Sequence, residues 1–274
     1  MASQAALRVA ALDWGLTEML LSLGRVPVAM SNPRGFRRNF AESVLPENVI
    51  DLGLSFQPNM ELLLSLRLGL ILITPEHAHL RASLERIAPT MTLGRYKSSG
   101  TPYTAACLET LQLAGVLDCT DRARAVLRKA DKEIAAARAR LEGLPAVRGR
   151  PVYIVRFVDE TYMRVFGRRS IFGEMLEMLG LDNAWSMPAG AAAGFSIVEM
   201  ERIGERAETS LLYLKPLPAP AASMMRTSPL WRAMPFARSG RVGALPDISA
   251  DGGVTSAALF ASGLAQALCK KEFA

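Results

Sequence analysis

The sequence predicts an α/β protein of two lobes with similar plans, each built on a central, mostly parallel sheet, the two joined by one long α-helix. Three observations carry this expectation. Short apolar strands alternate with helical patterns in the first third, a similar programme restarts after residue 150, and between them runs a long, striped helical segment.

In order, the first third reads as a strand over 7–12 (LRVAAL), a helix from Thr17, strands over 26–30 (VPVAM) and 49–51 (VID), a helix from Asn59 and a strand over 70–73 (LILI). The strongest helix runs from Thr120 as N-cap to Gly143 as C-cap, with Pro145 just beyond. Ala123, Leu127, Ala130, Ile134, Ala137 and Leu141 alternate spacings of four and three and form one stripe. At 1.5 Å per residue such a helix is about 33 Å long, a stiff link between lobes rather than a long coiled coil. LPAVRGRP (144–151) reads as a linker, followed by the strand VYIVRF (152–157). The repeat is visible in TEMLLSLG (17–24) and GEMLEMLG (173–180), and in Met60-Glu61 before strand 69–73 against Met200-Glu201 before strand 210–214. The expected division is an N-terminal lobe over 1–119, the connecting helix over 120–144 and a C-terminal lobe over 145–274.

Composition narrows the function. At 274 residues, half of them apolar, the chain is long enough to bury a core in each lobe. Its apolar runs, such as LGLILI (68–73), fall far short of the roughly 20 residues that cross a bilayer. The start, MASQAALRVAAL, has no basic region followed by an apolar stretch and a cleavage site, so a secretory signal is expected to be absent from this chain and removed from an exported protein. Cys107, Cys119 and Cys269 make no CxxC pair and no metal spacing; a helix between the first two keeps them beyond disulfide reach, and all three are expected free and buried or nearly so. The net charge of +6 is dispersed without interleaved aromatics, which argues against nucleic acid. No GxSxG, P-loop or GxGxxG motif is present, and the only two histidines lie two residues apart, so the chain is not expected to be an enzyme.

The blocks VAALDWGLTEMLLSLG (9–24), VIDLGLSFQPNMELL (49–63), LERIAP (84–89), MRVFGRRSIFGEML (163–176), LDNAW (181–185) and SPLWRAMPFARSGRV (228–242) resemble the periplasmic ferric-hydroxamate-binding proteins of ferrichrome-type uptake. These are helical-backbone substrate-binding proteins of ABC importers, a group that carries siderophores, haem or cobalamin. The resemblance implies a periplasmic, monomeric protein without catalytic activity or cofactor. Its ligand would be an Fe(III)-siderophore complex of hydroxamate or mixed citrate-hydroxamate type, and its partners an inner-membrane ABC permease and ATPase. Haem or cobalamin is the alternative cargo within the same group.

The resemblance fails at the cleft. An arginine and a tyrosine that bind hydroxamate oxygens in the family align with Ser55 and His77, pocket tryptophans fall at or near Phe40, Ile73, Ala193 and Ser249, and a pocket tyrosine aligns with Asp251. A less aromatic, more polar lining follows, which suits an anionic chelate served by arginines. Arg34, Arg37 and Arg38 precede the VID strand, and Arg156 sits near the end of an apolar strand, where it faces solvent, pairs with a carboxylate or serves an anion. Trp14 follows the first strand and either packs or meets ligand. His77, with Glu76 and His79, reads as a ligand contact, a surface loop or, less readily, a bare-metal site. Asp251 caps the last helix or bonds ligand. The expected ligand-binding set is Trp14, Arg38, Phe40, Ser55, His77, Arg156, Phe195 and Asp251, with no residue ligating metal directly. Glu61 and Glu201, one per lobe at the start of a short helix, are expected to dock to the permease, because glutamates so placed meet permease arginines in the family.

Overall fold

A computed structural model describes residues 7–40, 42–94, 99–186, 194–204 and 208–270. Contacts between residues group the chain into two units. The first comprises residues 1–96, 104–128 and 251–255, and the second 97–103, 129–250 and 256–274.

The first unit is organised on a five-stranded, all-parallel sheet. Its strands are β1 (Val9–Ala11), β2 (Ala29–Met30), β3 (Ile50–Asp51), β6 (Leu70–Ile73) and β7 (Thr90–Thr92), in the order β3-β2-β1-β6-β7, and a small antiparallel hairpin of β4 (Gly53–Leu54) and β5 (Gln57–Pro58) lies between β3 and β6 in sequence. Every residue of β1 and β6 is buried, so both read as continuous apolar runs, the pattern of a parallel strand covered on two faces. Ala10, Leu12, Leu52, Leu63, Ile71 and Ile73 form its core. Each leucine or isoleucine so buried is worth about 1.5–3 kcal/mol relative to exposure.

The second unit carries β8 (Val152–Phe157), β9 (Tyr162–Phe166), β10 (Phe195–Glu199), β11 (Ser210–Leu214) and β12 (Val242–Leu245) in the order β10-β9-β8-β11-β12. β8, β11 and β12 run parallel, while β9 and β10 add an antiparallel half. That half was not legible as strands, because β9 and β10 are edge-side segments with alternating exposure and charged residues such as Arg164 and Glu199. The core here is aromatic: Phe157 meets Tyr213 and Trp231 edge-on, and Trp231 meets Phe236.

The repeat is real at the level of helix and turn. The helix expected from Thr17 begins earlier, spanning Trp14–Ser22, because Asp13 caps it by accepting the Leu16 amide at 3.2 Å. Its counterpart spans Ile171–Met178 and is capped by Ser170, which accepts the Gly173 amide at 3.0 Å. Both turn out through a left-handed glycine, Gly24 at φ 71° and Gly180 at φ 72°, a conformation that side chains with a Cβ disfavour.

The long helix spans Thr120–Glu142. Ala123, Ala130, Ile134, Ala137 and Leu141 are buried and Leu127 half-buried, so the stripe faces protein along its length. The boundary between the units falls within this helix after Arg128, and also within helix Pro102–Val116 after Tyr103 and helix Val254–Leu268 after Thr255. None of the three cysteines forms a disulfide; Cys107 and Cys119 are half-buried, but Cys269 is exposed, contrary to expectation, because it follows the last turn of the final helix and leaves its apolar face. Among the described residues no helix is long and apolar enough to cross a membrane.

Candidate ligand-binding site

Ligands of open parallel sheets approach the carboxyl ends of the strands. In the first unit those ends are marked by Leu12 to Trp14 after β1, Ser31 after β2, the 53–58 hairpin after β3, and Thr74 to His77 after β6.

Ser55 and His77 are brought together there. The Ser55 hydroxyl donates to the Leu12 carbonyl at 2.6 Å and lies 2.9 Å from His77 Nε2. His77 Nδ1 accepts the Thr74 amide at 3.0 Å, and the Thr74 hydroxyl lies 2.8 Å from the same nitrogen. A carbonyl only accepts and an amide only donates, so the tautomer is set: Nε2 carries the hydrogen and gives it to Ser55 Oγ, while Nδ1 is bare. His77 is 2 % exposed, and burial pushes its pKa below the ordinary histidine value; the nearby carboxylates Asp13 and Glu76 oppose that shift, and His79 adds to it. His77 therefore fastens the hairpin to the ends of β1 and β6. Its ring nitrogens are both engaged within the protein.

The other expected residues of this unit divide. Phe40 is 4 % exposed, stacked on Phe36 at 4.7 Å and edge-on to Trp14 at 6.4 Å, which makes it core. Trp14 is half-buried, donates to the Ser31 carbonyl at 3.1 Å and presses so close to Gly35 that a Cβ there would lie 2.5 Å from its ring. Arg38 and Arg34 are exposed, whereas Arg37 braces the next loop by donating to the Leu45 and Pro46 carbonyls. Ile73 is buried in the sheet core. Asp251 is exposed in the turn before helix Val254–Leu268, where Glu18 accepts the Gly253 amide at 2.7 Å.

In the second unit Arg156 takes the paired alternative. Its Nη1 donates to Asp247 Oδ1 and to the Lys215 carbonyl, each at 2.9 Å, and its Nη2 to the Ile248 carbonyl at 2.9 Å. One guanidinium thus ties together the carboxyl ends of β8, β11 and β12, its charge balanced by Asp247. Phe195 is half-buried on β10, with the Arg164 guanidinium 5.1 Å from its ring centroid. Ser249 is half-buried, and Ala193 lies outside the described residues. Among the described residues no group of three histidine, cysteine or carboxylate side chains is placed to hold a metal ion; His79 instead contacts the Glu76 carbonyl on the exterior.

Glu61 and Glu201 are both exposed, each in the first turn of a short helix, Met60–Ser65 and the 3₁₀ turn Met200–Ile203. A carboxylate is stabilised at that end of a helix whatever else it does.

Residues 9–248 match the periplasmic binding protein family, and the chain belongs to it. The iron(3+)-hydroxamate-binding protein FhuD of Escherichia coli K12 is 29% identical over 253 residues, covering 92% of this chain and 84% of that protein. The ferric-anguibactin-binding protein FatB of Vibrio anguillarum is 28% identical over 194 residues, 68% of this chain and 57% of that protein. Among solved structures, the Fe3+-Desferal-bound siderophore-binding protein FhuD of Vibrio cholerae superposes with a TM-score of 0.86 at 26% identity, covering 96% of this chain and 98% of that one.

One feature escaped sequence reasoning. Phe56, not singled out in the sequence, is 64% exposed at the hairpin tip. An aromatic in the turn of a tight hairpin has no core to enter, and that was the available signal.

Proposed function

We propose that this chain is the extracytoplasmic substrate-binding component of an ABC importer, that it captures a ferric siderophore of the hydroxamate class, and that it hands the ligand to a membrane permease without performing chemistry. The observation that carries this is the match to FhuD, which holds over nearly the whole of both chains in sequence and in fold. A hydroxamate is favoured over an anionic citrate-type chelate because Arg156, one of the cations the anionic alternative invokes, is already balanced by Asp247 and spent on three backbone and side-chain acceptors. With Ser55 and His77 bonded to one another, recognition relies on other side chains at the strand ends.

Glu61 and Glu201 are the proposed docking carboxylates, exposed and repeated at equivalent places in the two units. Charge reversal at either, Glu61→Lys or Glu201→Lys, is expected to leave ferric hydroxamate affinity within about twofold, since surface substitutions away from the binding groups change little. Iron uptake by cells carrying either variant is expected to fall at least tenfold, because an opposite charge now faces the permease. Tracer uptake in cells and fluorescence titration of the purified proteins read the two effects separately. Uptake equal to wild type would contradict the docking assignment, and loss of ligand binding in a folded variant would place these residues in the ligand site instead.

A further inference from the structure

We propose that Phe56 is a ligand-contacting aromatic, set in place by the Ser55–His77 lock and meeting the apolar arms of a ferric hydroxamate; the inference rests on the functional reading above.

Three observations support it. The first is position: β4 and β5 pair Gly53 with Pro58 and Leu54 with Gln57, which leaves Ser55 and Phe56 as the turn, at the carboxyl end of β3. Through Ser55 the same turn is fastened to the carboxyl end of β1 and to the segment after β6, so Phe56 stands at the sheet edge where ligands of such sheets bind. The second is exposure. Phe36 and Phe40 of the same unit are 0% and 4% exposed, whereas Phe56 is 64% exposed although it is the same apolar side chain. The third is rigidity, because the residue beside it is pinned by two hydrogen bonds and the hairpin opens with the Asp51 carboxylate accepting the Gly53 amide at 2.8 Å. A stiff platform loses little freedom on binding, which makes an aromatic there an efficient contact. The Ser55 and His77 side chains turn into the protein, whereas Phe56 beside them is exposed, as is Leu54 at 53%, and Phe56 is the aromatic of the hairpin.

The experiment titrates wild type, Phe56→Ala and Phe56→Trp with ferric desferrioxamine and with ferrichrome, and records the thermal midpoint of each protein. Phe56→Ala is expected to raise Kd at least tenfold for a chelate the wild type binds, with the midpoint nearly unchanged because the side chain is exposed. Phe56→Trp is expected to bind within about threefold of wild type, a fraction of the tenfold that 1.4 kcal/mol represents. Its added indole should be quenched by the ferric chelate more than the three native tryptophans are quenched in the wild type, whatever the folding of the alanine variant. Wild-type affinity in Phe56→Ala, or no additional quenching in Phe56→Trp, overturns the assignment while leaving the functional reading intact. If the wild type binds neither chelate, the functional reading fails and this inference fails with it.

Discussion

Replacing Glu18 or Glu174 by alanine is expected to destabilise the protein by about 1.5–3 kcal/mol, the scale of a lost hydrogen bond to a charged group. The two glutamates are counterparts in the repeat, in TEML at 17–20 and GEML at 173–176, and both are buried, at 3% and 8% exposure. Glu18 accepts the Gly253 amide at 2.7 Å just before helix Val254–Leu268, and Glu174 accepts the Tyr103 amide in the first turn of helix Pro102–Val116. The first four amides of a helix lack partners within it, and a carboxylate there also meets the positive end of the helix dipole. Urea melts of Glu18→Ala, Glu174→Ala and the matching glutamine variants test this. Glutamine retains an acceptor oxygen and should cost clearly less than alanine, and equal costs for the two replacements would contradict the capping role.

The second large effect is expected at the hairpin lock. Ser55→Ala removes the acceptor of His77 Nε2–H and the donor to the Leu12 carbonyl, and should cost about 1–3 kcal/mol in the same melts. His77 adds a pH dependence whose sign follows from its lowered pKa. In the unfolded chain a histidine takes up its proton near pH 6.5, and the folded protein resists doing so because the ring is buried, which disfavours its charged form. The stability due to the lock is therefore complete above about pH 6.5 and is lost as pH falls through that value toward the lower folded pKa. His77→Gln keeps a donor for Ser55 without titrating, and its stability should change less between pH 7 and 5 than that of wild type. A variant that tracks the wild type across that range would show that His77 does not titrate on unfolding.

How much of this was legible in the sequence depends on the range of the interaction. The buried strands β1 and β6, the stripe of helix Thr120–Glu142 and the glycine-terminated repeat helices are local patterns, written in residue periodicity and in turn chemistry. The antiparallel half of the second sheet was not, because pairing between β8, β9 and β10 depends on partners elsewhere in the chain. The site shows the same division. Sequence position placed Ser55, His77, Phe40 and Arg156 near strand ends, but their roles were decided by partners 22, 43 or 91 residues away: His77 for Ser55, Leu12 for Ser55 and Asp247 for Arg156. An aligned position says where a side chain starts and not which way it turns. Hence His77 and Arg156, read as groups for a ligand, bond inward, and Phe40, read as a wall, lies in the core, while Phe56 was overlooked.

The central claim is that this chain binds a ferric hydroxamate as an intact complex, and a thermal-shift titration tests it most directly. Purified protein is melted with ferric desferrioxamine or ferrichrome, with the metal-free chelators, with ferric citrate and with haem. A ligand at 100 times its Kd adds about 2.7 kcal/mol, which for a chain of this size corresponds to a rise of about 5 °C or more in Tm. The account predicts that rise for at least one ferric hydroxamate, a much smaller one for its metal-free form and for ferric citrate, and none for haem. A protein stabilised by haem or by ferric citrate and indifferent to both ferric hydroxamates would contradict it.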